Sequence, residues 1–390
     1  MRRVAIVVHA IFPGDPRVRR QSDALIDAGY EVDILCLRQP GEPPEEADGP
    51  LRILRLPVNR TFVGFAGHLA EYAAFTAVAA WRLAREHRTR RYDLVQVATV
   101  PDFLAFAALP EKLAGVPLLV DLHEDMPEFF RDRFAHPLLR PLLPLVTATS
   151  RAAAAVANEM ITVHEPLRML SISRGVEPER ISVVMNSADG RLFDPSRHER
   201  RAFMADGQLR LVHHSNLQRI YGLDVAIEGL ARLRADLTWR LDVYGEGPWR
   251  PQIDAAIERT GTGDRVTMHG RVEMDDLPRL LAASDIGLVP SLSEPYLEYS
   301  LSTKLLEYAA MSVPVIAADL ATFRHYFTDA ALRFIPGGDP DALARAVEEL
   351  AADPIRTVAM GLEAQRQAAA YDWETQKRGY LAVVDRLAGR

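Results

Sequence analysis

The sequence is poorest in what would staple or anchor a chain. Its 390 residues contain one cysteine, Cys36, set in the apolar run EVDILCL. An intramolecular disulfide and a cysteine metal cage are therefore excluded, and a reducing compartment is the expected setting. No apolar run approaches the roughly 18 to 20 residues that a membrane-spanning helix needs. The opening MRRVAIVVHAIF has the arginines and apolar stretch of a leader, but His9 interrupts it, FPGDPRVRR follows at once and no small-residue cleavage site closes it. It reads as a first β-strand. The expected location is cytoplasmic, with peripheral contact on the inner face of a membrane as a further expectation. Basic excess is missing too: 46 Lys and Arg against 53 Asp and Glu, net −7, argues against a chain built to coat nucleic acid. With 48% hydrophobic and 25% charged residues, neither disorder nor a low-complexity fibre fits.

What the sequence does have is alternation. Short β-branched runs alternate with stretches of helical periodicity, the signature of βαβ units whose parallel sheets are covered on both faces. Strands are expected at Arg3–Val8, Glu31–Leu37, Leu51–Leu56, Asp93–Ala98, Pro117–Asp121, Met160–Val163 and Ile181–Met185. The text from Asp194 to Gln208 is polar and aperiodic, and then the alternation restarts with strands at Leu209–His213, Trp239–Tyr244, Val266–His269, Ile286–Pro290 and Pro314–Ala317. Two doubly wound α/β domains follow, 1–198 and 199–370, with a helical tail at 371–390 whose Trp373, Tyr380, Leu381, Val384 and Leu387 need a surface to cover them. Open parallel sheets bind ligands beyond the carboxyl ends of their strands, so the functional residues are expected just after strands.

Four segments meet that condition. After the first strand, Gly14 leads through Asp15 and Pro16 into a helix with Arg17, Arg19 and Arg20. This either brings backbone amides to an anion or is an ordinary strand-to-helix turn, since the full GxGxxG spacing is absent. After the fifth, Asp121-Leu-His123-Glu124-Asp125 sets a histidine among carboxylates, either to move protons and hold a sugar hydroxyl or as a hydrogen-bonded structural cluster. No second histidine or carboxylate spacing completes a metal site. In the second half, Tyr244-Gly245-Glu246-Gly247-Pro248 follows a strand. Ser302-Thr303-Lys304 then opens a helix whose first-turn amides and lysine suit a diphosphate, with Glu307 on the same face suited to vicinal hydroxyls. An i,i+3 ion pair between Lys304 and Glu307 is the bland alternative. Finally, Phe65–Arg91 and the segment from Phe129 to Leu143 mix bulky apolar residues with arginine, text that suits a membrane surface, a lipid-acceptor groove or a core-facing helix.

Taken in order, FPGDPRVRRQSDALIDAGYEVDILC, VDLHEDMPE, ITVHEPLRMLSISRGVEPERISVVMNSAD, YGLDVAIEGLARL, VYGEGP, HGRV and TKLLEYAAMSVPVIA resemble the family 4 (group 1) glycosyltransferases, retaining enzymes of the GT-B fold. The resemblance covers nearly the whole length. It implies two Rossmann-like domains facing across a cleft, an N-terminal one for the acceptor and a C-terminal one for a nucleotide-sugar donor, UDP- or GDP-linked. It implies no cofactor, no catalytic metal and a last helix that returns to the first domain. The acceptor would be a hydroxyl-bearing glycan, glycolipid or natural product, with acceptor loops around Gly41–Pro50 and Asn59–Gly67.

Carried over by position, Gly14 resembles the loop glycine near the donor diphosphate and His123 the histidine at the transferred sugar. Arg271 and Val272 resemble the nucleobase edge, and Glu307 the ribose carboxylate. Asn186 and Asp189 match an architectural Asn-x-x-Asp turn. The departures are as specific. Where many members have an arginine and a lysine five apart, this chain has Asn216 and Tyr221, so Arg219 and Lys304 are the expected replacement cations. Where a glutamate precedes Glu307 by eight, it has Tyr299, beside Glu298. His123, Arg219 and Lys304 are thus the expected catalytic set. Gly14, Asn216, Gly245, Arg271, Val272, Tyr299, Ser302, Thr303 and Glu307 are the expected donor contacts. The substitutions leave two rivals: an epimerase on the same fold, or a partner subunit that binds without turnover.

Overall fold

The computed structural model describes residues 2–58, 64–133 and 137–389. The chain divides into two units, Met1–Asn186 with Glu374–Arg390, and Ser187–Trp373. The change of unit comes ahead of the polar stretch because that stretch is tied to the second sheet. Arg201 donates to both oxygens of buried Asp285 (2.7 and 2.6 Å), which also accepts from the amides of Met204 and Arg210.

The first unit is built on eight strands: β1 Arg3–Ile11, β2 Glu31–Leu37, β3 Glu45–Asp48, β4 Leu51–Leu56, β5 Leu94–Ala98, β6 Leu118–Leu122, β7 Glu159–Thr162 and β8 Ile181–Val183. Their spatial order is β3-β4-β2-β1-β5-β6-β7-β8, parallel throughout except for the β3–β4 pair. The second unit has β9 Leu209–His214, β10 Trp239–Tyr244, β11 Val266–Gly270, β12 Ile286–Val289, β13 Val315–Ala318 and β14 Arg333–Ile335, all parallel, in the order β11-β10-β9-β12-β13-β14. The expected doubly wound pattern is present in each unit. Central strands such as Val4–Val7, Val32–Leu37 and Val315–Ala318 are buried on both faces, which is why they read as continuous apolar runs.

β3 and β14 escape the sequence reading for different reasons. β3 has four exposed residues and no apolar alternation. Its edge position is held instead by charge, Glu46 accepting from Arg55 and Glu45 from Arg52, each at 2.8 Å. β14 is three residues long. The Gly41–Pro50 loop therefore contains a strand. Of the Asn59–Gly67 loop, 59–63 lie outside the described residues, as does Phe134 of the later segment, and Gly64 already begins the helix Gly64–Arg90.

A buried polar network organises the carboxyl edge of the first sheet. Asp15 accepts from the amides of Arg17 and Val18 (2.9 and 3.1 Å) and starts the helix Pro16–Asp27, with Pro16 supplying a preset φ at its first position. That cap delivers Arg17 into the interior, where its guanidinium grips fully buried Asp121 through Nε and Nη2 (2.9 and 2.7 Å) and donates from Nη1 to the carbonyl of Val184 (2.6 Å) and to Asn186 (3.1 Å). Gln21 donates to Asp121 at 2.7 Å and accepts from Gln96 at 2.8 Å, and Gln96 accepts from the Tyr380 hydroxyl at 2.7 Å. Tyr380 belongs to the last helix, Trp373–Leu387, which buries Trp373, Tyr380, Val383 and Val384. Val383, rather than Leu381, completes the covered face.

Burial alone would raise the Asp121 carboxyl, but the Arg17 charge, with His123 adding, holds it below the ordinary carboxylate range. A carboxyl lowered on folding stabilises the fold above its unfolded pKa, and that contribution is lost only as pH falls through its lower folded value. Replacing Asp121 by Asn strands a buried guanidinium. We expect Asp121→Asn to cost the first unit about 3–5 kcal/mol. Hydrogen exchange of β1, β5 and β6 in urea measures this, and a loss under about 1 kcal/mol would refute the network's structural weight.

Candidate functional site

The second unit carries a polar cavity of about 610 Å³ at the carboxyl edge of its sheet. Three loops and a helix end form it. After β9 come Ser215 and Asn216, after β10 Gly245 and Glu246, and after β11 Arg271 to Met274; the helix Thr303–Ala310 contributes Thr303, Lys304 and Glu307 from its first turn and a half.

The loops cross at van der Waals limits, and glycine is what lets them. The Ser215 amide donates to the Tyr244 carbonyl and the Leu217 amide to Glu246, each at 3.0 Å, so the two loops continue the sheet beyond its strands. Gly245 has φ +133°, and a Cβ there would lie 1.8 Å from the Ser215 carbonyl oxygen. A Cβ on Gly247 would lie 2.3 Å from the Leu217 oxygen. The Gly-Glu-Gly spacing is therefore a crossing requirement as well as a turn signal.

Lys304 dominates the electrostatics. The chain has only three lysines among its 46 basic residues, and this one is buried, at 7% exposure. Its ammonium stands 3.9 Å from the ring centroid of Tyr221, and among the described residues no carboxylate lies within ion-pairing distance. The i,i+3 bridge to Glu307, the alternative to a ligand-binding role, is not formed. Glu307 lies 3.3 Å from Nε2 of His214, whose ring packs edge-on against Tyr308. Burial pushes Lys304 down to about 8, with Glu307 opposing. Burial and the Lys304 charge also push His213 down to about 3 and hold His214 well below its ordinary value, so both are neutral at neutral pH. His213 is locked between the Leu288 carbonyl (2.9 Å) and Ser215 Oγ (2.8 Å). The wall thus offers a desolvated cation that, among the described residues, no carboxylate neutralises at ion-pairing distance.

Of the expected donor contacts, Asn216, Gly245, Arg271, Val272, Thr303 and Glu307 line this cavity together, and Lys304 of the expected catalytic set is among them. Arg219 does not join them: half-exposed, its guanidinium pairs with Glu294 at 2.8 Å. Tyr299 is 37% exposed and off the wall, and its neighbour Glu298 accepts from the Ala321 amide at the start of the helix Ala321–Tyr326. Ser302 is the residue before the Thr303–Ala310 helix. Its Oγ is buried, makes no capping bond and does not reach the wall. Sequence reasoning missed His214 and, although it singled out the segment that Tyr244 opens, gave the Tyr244 ring no role of its own. The signal was present in both cases, a polar or aromatic residue closing a β-branched strand. Tyr244 stacks on His269 (4.6 Å, 15°), which is fixed by Asp242 at 2.7 Å.

Gly14 and His123 belong to the first unit. Gly14 is exposed in the turn before Asp15. The acidic run around His123 separates into parts with different duties. Asp121 is the Arg17 partner, and Asp125 accepts from the Glu128 amide (2.9 Å) and pairs with Arg174. His123, 18% exposed, keeps Nε2 3.3 Å from Asp121 and stands at the end of β6.

Residues 208–353 match the family model described as glycosyl transferases group 1, and residues 14–187 match the glycosyl transferase 4-like domain. Among relatives, the 2-deoxystreptamine glucosyltransferase of Streptomyces kanamyceticus is 26% identical over 298 residues, covering 71% of this chain and 75% of that one. Among solved structures, sucrose-phosphate synthase from Thermosynechococcus elongatus superposes with TM-score 0.79 at 18% identity over 99% of both chains. HepE of Anabaena, solved with UDP and glucose, superposes with TM-score 0.70 at 17% identity over 99% of this chain and 100% of that one. These likenesses establish the GT-B fold.

The folded state holds the Lys304 proton less tightly than the unfolded chain does. The fold therefore gains stability as pH rises from about 8 towards the ordinary lysine value of 10.5. Anion binding, which needs the ammonium, weakens over the same window. Titrations with inorganic pyrophosphate should show affinity falling through pH 8 in the wild type relative to Lys304→Met; parallel profiles would remove Lys304 from the anion site.

Proposed function

Because this chain belongs to the group 1 glycosyl transferases and is an enzyme of sugar transfer, we propose that its second unit binds a nucleoside-diphosphate sugar, UDP- or GDP-linked, and that transfer proceeds with retention and without a metal. The observation that carries the donor assignment is the buried Lys304 ammonium at a helix N-terminus, with no carboxylate at ion-pairing distance among the described residues. A protein bears the desolvation of a lone cation where a ligand supplies the anion, and a diphosphate supplies two negative groups in reach of one lysine and the first-turn amides.

Around that anchor the other wall residues divide the donor among them. Glu307 offers a carboxylate to vicinal ribose hydroxyls, which are donors. The Arg271–Val272 backbone presents an edge to the base, and the Tyr244 ring adds a flat apolar surface held in place by His269. The neutral state of His213 and His214 keeps the pocket from over-binding the product diphosphate, leaving Lys304 and exposed Arg271 as its cations. Lys304 thus takes over from the position where Tyr221 stands, and Tyr221 serves as its cushion. Arg219 reaches the diphosphate only by releasing Glu294.

In the reaction, the bond from the anomeric carbon to the diphosphate oxygen breaks and its electron pair leaves with the phosphate. The acceptor hydroxyl oxygen forms its bond on the same face, and its proton passes to the departing phosphate. Stabilising the leaving charge is the main demand, because negative charge builds on the diphosphate as the bond lengthens. His123, positioned by Asp121, is assigned to the transferred sugar. The acceptor is assigned to the first unit and is a hydroxyl-bearing small molecule or glycan, by analogy with the relative that glucosylates 2-deoxystreptamine.

A panel of UDP-, GDP-, ADP- and dTDP-sugars in the presence of a chelator tests the donor reading. We expect one donor to raise the melting temperature and to release its nucleoside diphosphate slowly; stabilisation by none would overturn it. Lys304→Glu should weaken that donor by at least tenfold, about 1.4 kcal/mol. His123→Ala should lower turnover by about 10²- to 10⁴-fold while leaving donor binding within a few fold, and near-normal turnover would exclude the histidine. The anomeric configuration of the first product, read by NMR, decides retention.

A further inference from the structure

A second cavity, of about 200 Å³, lies wholly within the first unit beyond the carboxyl end of β5, and nothing in the donor chemistry uses it. Its walls are aromatic. Phe65 and Tyr72 come from the helix Gly64–Arg90, Phe130 from the helix Met126–Arg133, and Phe103 from the turn after β5. Phe65 meets Phe130 edge-on at 5.8 Å, and Tyr72 meets Phe103 at 6.4 Å.

One carboxyl interrupts this lining. Asp102 is 4% exposed, and among the described residues its Oδ1 has no hydrogen-bond partner. The neighbouring Ser150 hydroxyl also serves the Val146 carbonyl at 3.2 Å. On its other side Asp102 borders a separate cavity of about 270 Å³ that Arg151, Arg174 and Arg180 line, and Arg174 is already committed to Asp125 and Glu128. That side sets three guanidiniums against the Asp125 and Glu177 carboxylates, an excess of positive charge that disfavours a further cation. The aromatic side attracts one, since ring faces favour a cation and a buried carboxyl with one oxygen unsatisfied is costly.

From this juxtaposition we propose that the aromatic cavity seats an amine-bearing ring of the acceptor, its protonated amine paired with Asp102 and its C–H face laid on Tyr72, Phe103 and Phe130. The inference rests on the reading of the first unit as the acceptor-binding one. The volume fits the assignment: a cavity of roughly 150 Å³ holds a benzene, so this one admits a single six-membered ring with a small substituent. Burial, reinforced by Asp125 and opposed by Ser150 and Arg174, pushes Asp102 up to about 7. An ammonium alongside draws the carboxyl to its charged form. The charge of the amine, rather than its hydrogen-bonding capacity, is what the site selects.

Matched probes on the intact protein test this. Cyclohexylamine and cyclohexanol share a ring and differ in the charge, and ligand-observed NMR titrations at pH 7.5 compare them. We expect the amine to bind at least tenfold more tightly, Asp102→Asn to abolish that preference, and Phe130→Ala to weaken both probes. Asp102→Asn should melt no lower than the wild type, because an amide keeps an acceptor for Ser150 and removes the charge that burial penalises. Equal binding of the two probes to the wild type, no binding of the amine, or a preference that survives Asp102→Asn would each overturn the proposal. Donor stabilisation measured in the same samples separates the two readings. Amine preference without donor binding refutes nucleotide-sugar transfer but leaves the amine site standing, and donor binding without amine preference does the reverse.

Discussion

The Arg17–Asp121 ion pair is the constraint on which the first unit depends. Both groups are buried, so each is tolerable only because the other is present and because Gln21, the Val184 carbonyl and Asn186 take up their further hydrogen bonds. Meeting that condition fixes much else. The Asp15 cap must place the helix Pro16–Asp27 so that Arg17 and Gln21 arrive together. The chain after β8 must bring Val184 and Asn186 to the far side of the guanidinium, and the last helix must bring Tyr380 to Gln96. The same carboxylate then orients His123 at the end of β6. A buried pair of this kind adds little net stability over an apolar core of the same shape. It makes alternative packings expensive, which is what a site that must be held at a sheet edge requires.

The second unit solves its edge differently. There, backbone crosses backbone where Gly245 and Gly247 pass Ser215 and Leu217, and the desolvated Lys304 ammonium, set over the Tyr221 ring, has no carboxylate at ion-pairing distance among the described residues. The contrast is chemical. In the first unit charge is consumed internally to build a frame, whereas in the second a cation is kept in reserve for a ligand. Asp102 belongs to the second kind despite lying in the first unit, with the sign reversed.

How much of this the sequence carried depends on whether a feature is local. Glu31–Leu37, Leu51–Leu56 and Trp239–Tyr244 are strands to the residue, because doubly buried strands announce themselves as continuous apolar text. β3 does not, since its energetics lie in ion pairs to Arg52 and Arg55 rather than in its own residues. Lys304 and Glu307 were legible from their place at a helix start, Arg271, Val272 and Asn216 through the family resemblance, and the structure gathers all five in one cavity. Arg219 and Tyr299 were legible only as compensation for missing residues, and such compensation is a question of reach: Glu294 holds the one and solvent the other. Asp102 gave no signal at all. An aspartate after Val-Pro reads as turn chemistry, and its isolation becomes visible only once the aromatic residues of two distant helices stand around it.

The return of the last helix has a further consequence, for biosynthesis. Gln96 leaves the ribosome early, yet its partner Tyr380 is made after the entire second unit. During translation the first sheet therefore carries an open polar seam while the intervening 187–373 segment, whose sheet is drawn from contiguous sequence, is free to fold. A helix synthesised after the second unit closes a sheet begun before it. In such a chain the order of completion runs against the order of synthesis, and a nascent polypeptide stalled before the final helix would present the Arg17–Gln21–Gln96 edge to whatever chaperone or neighbour is at hand.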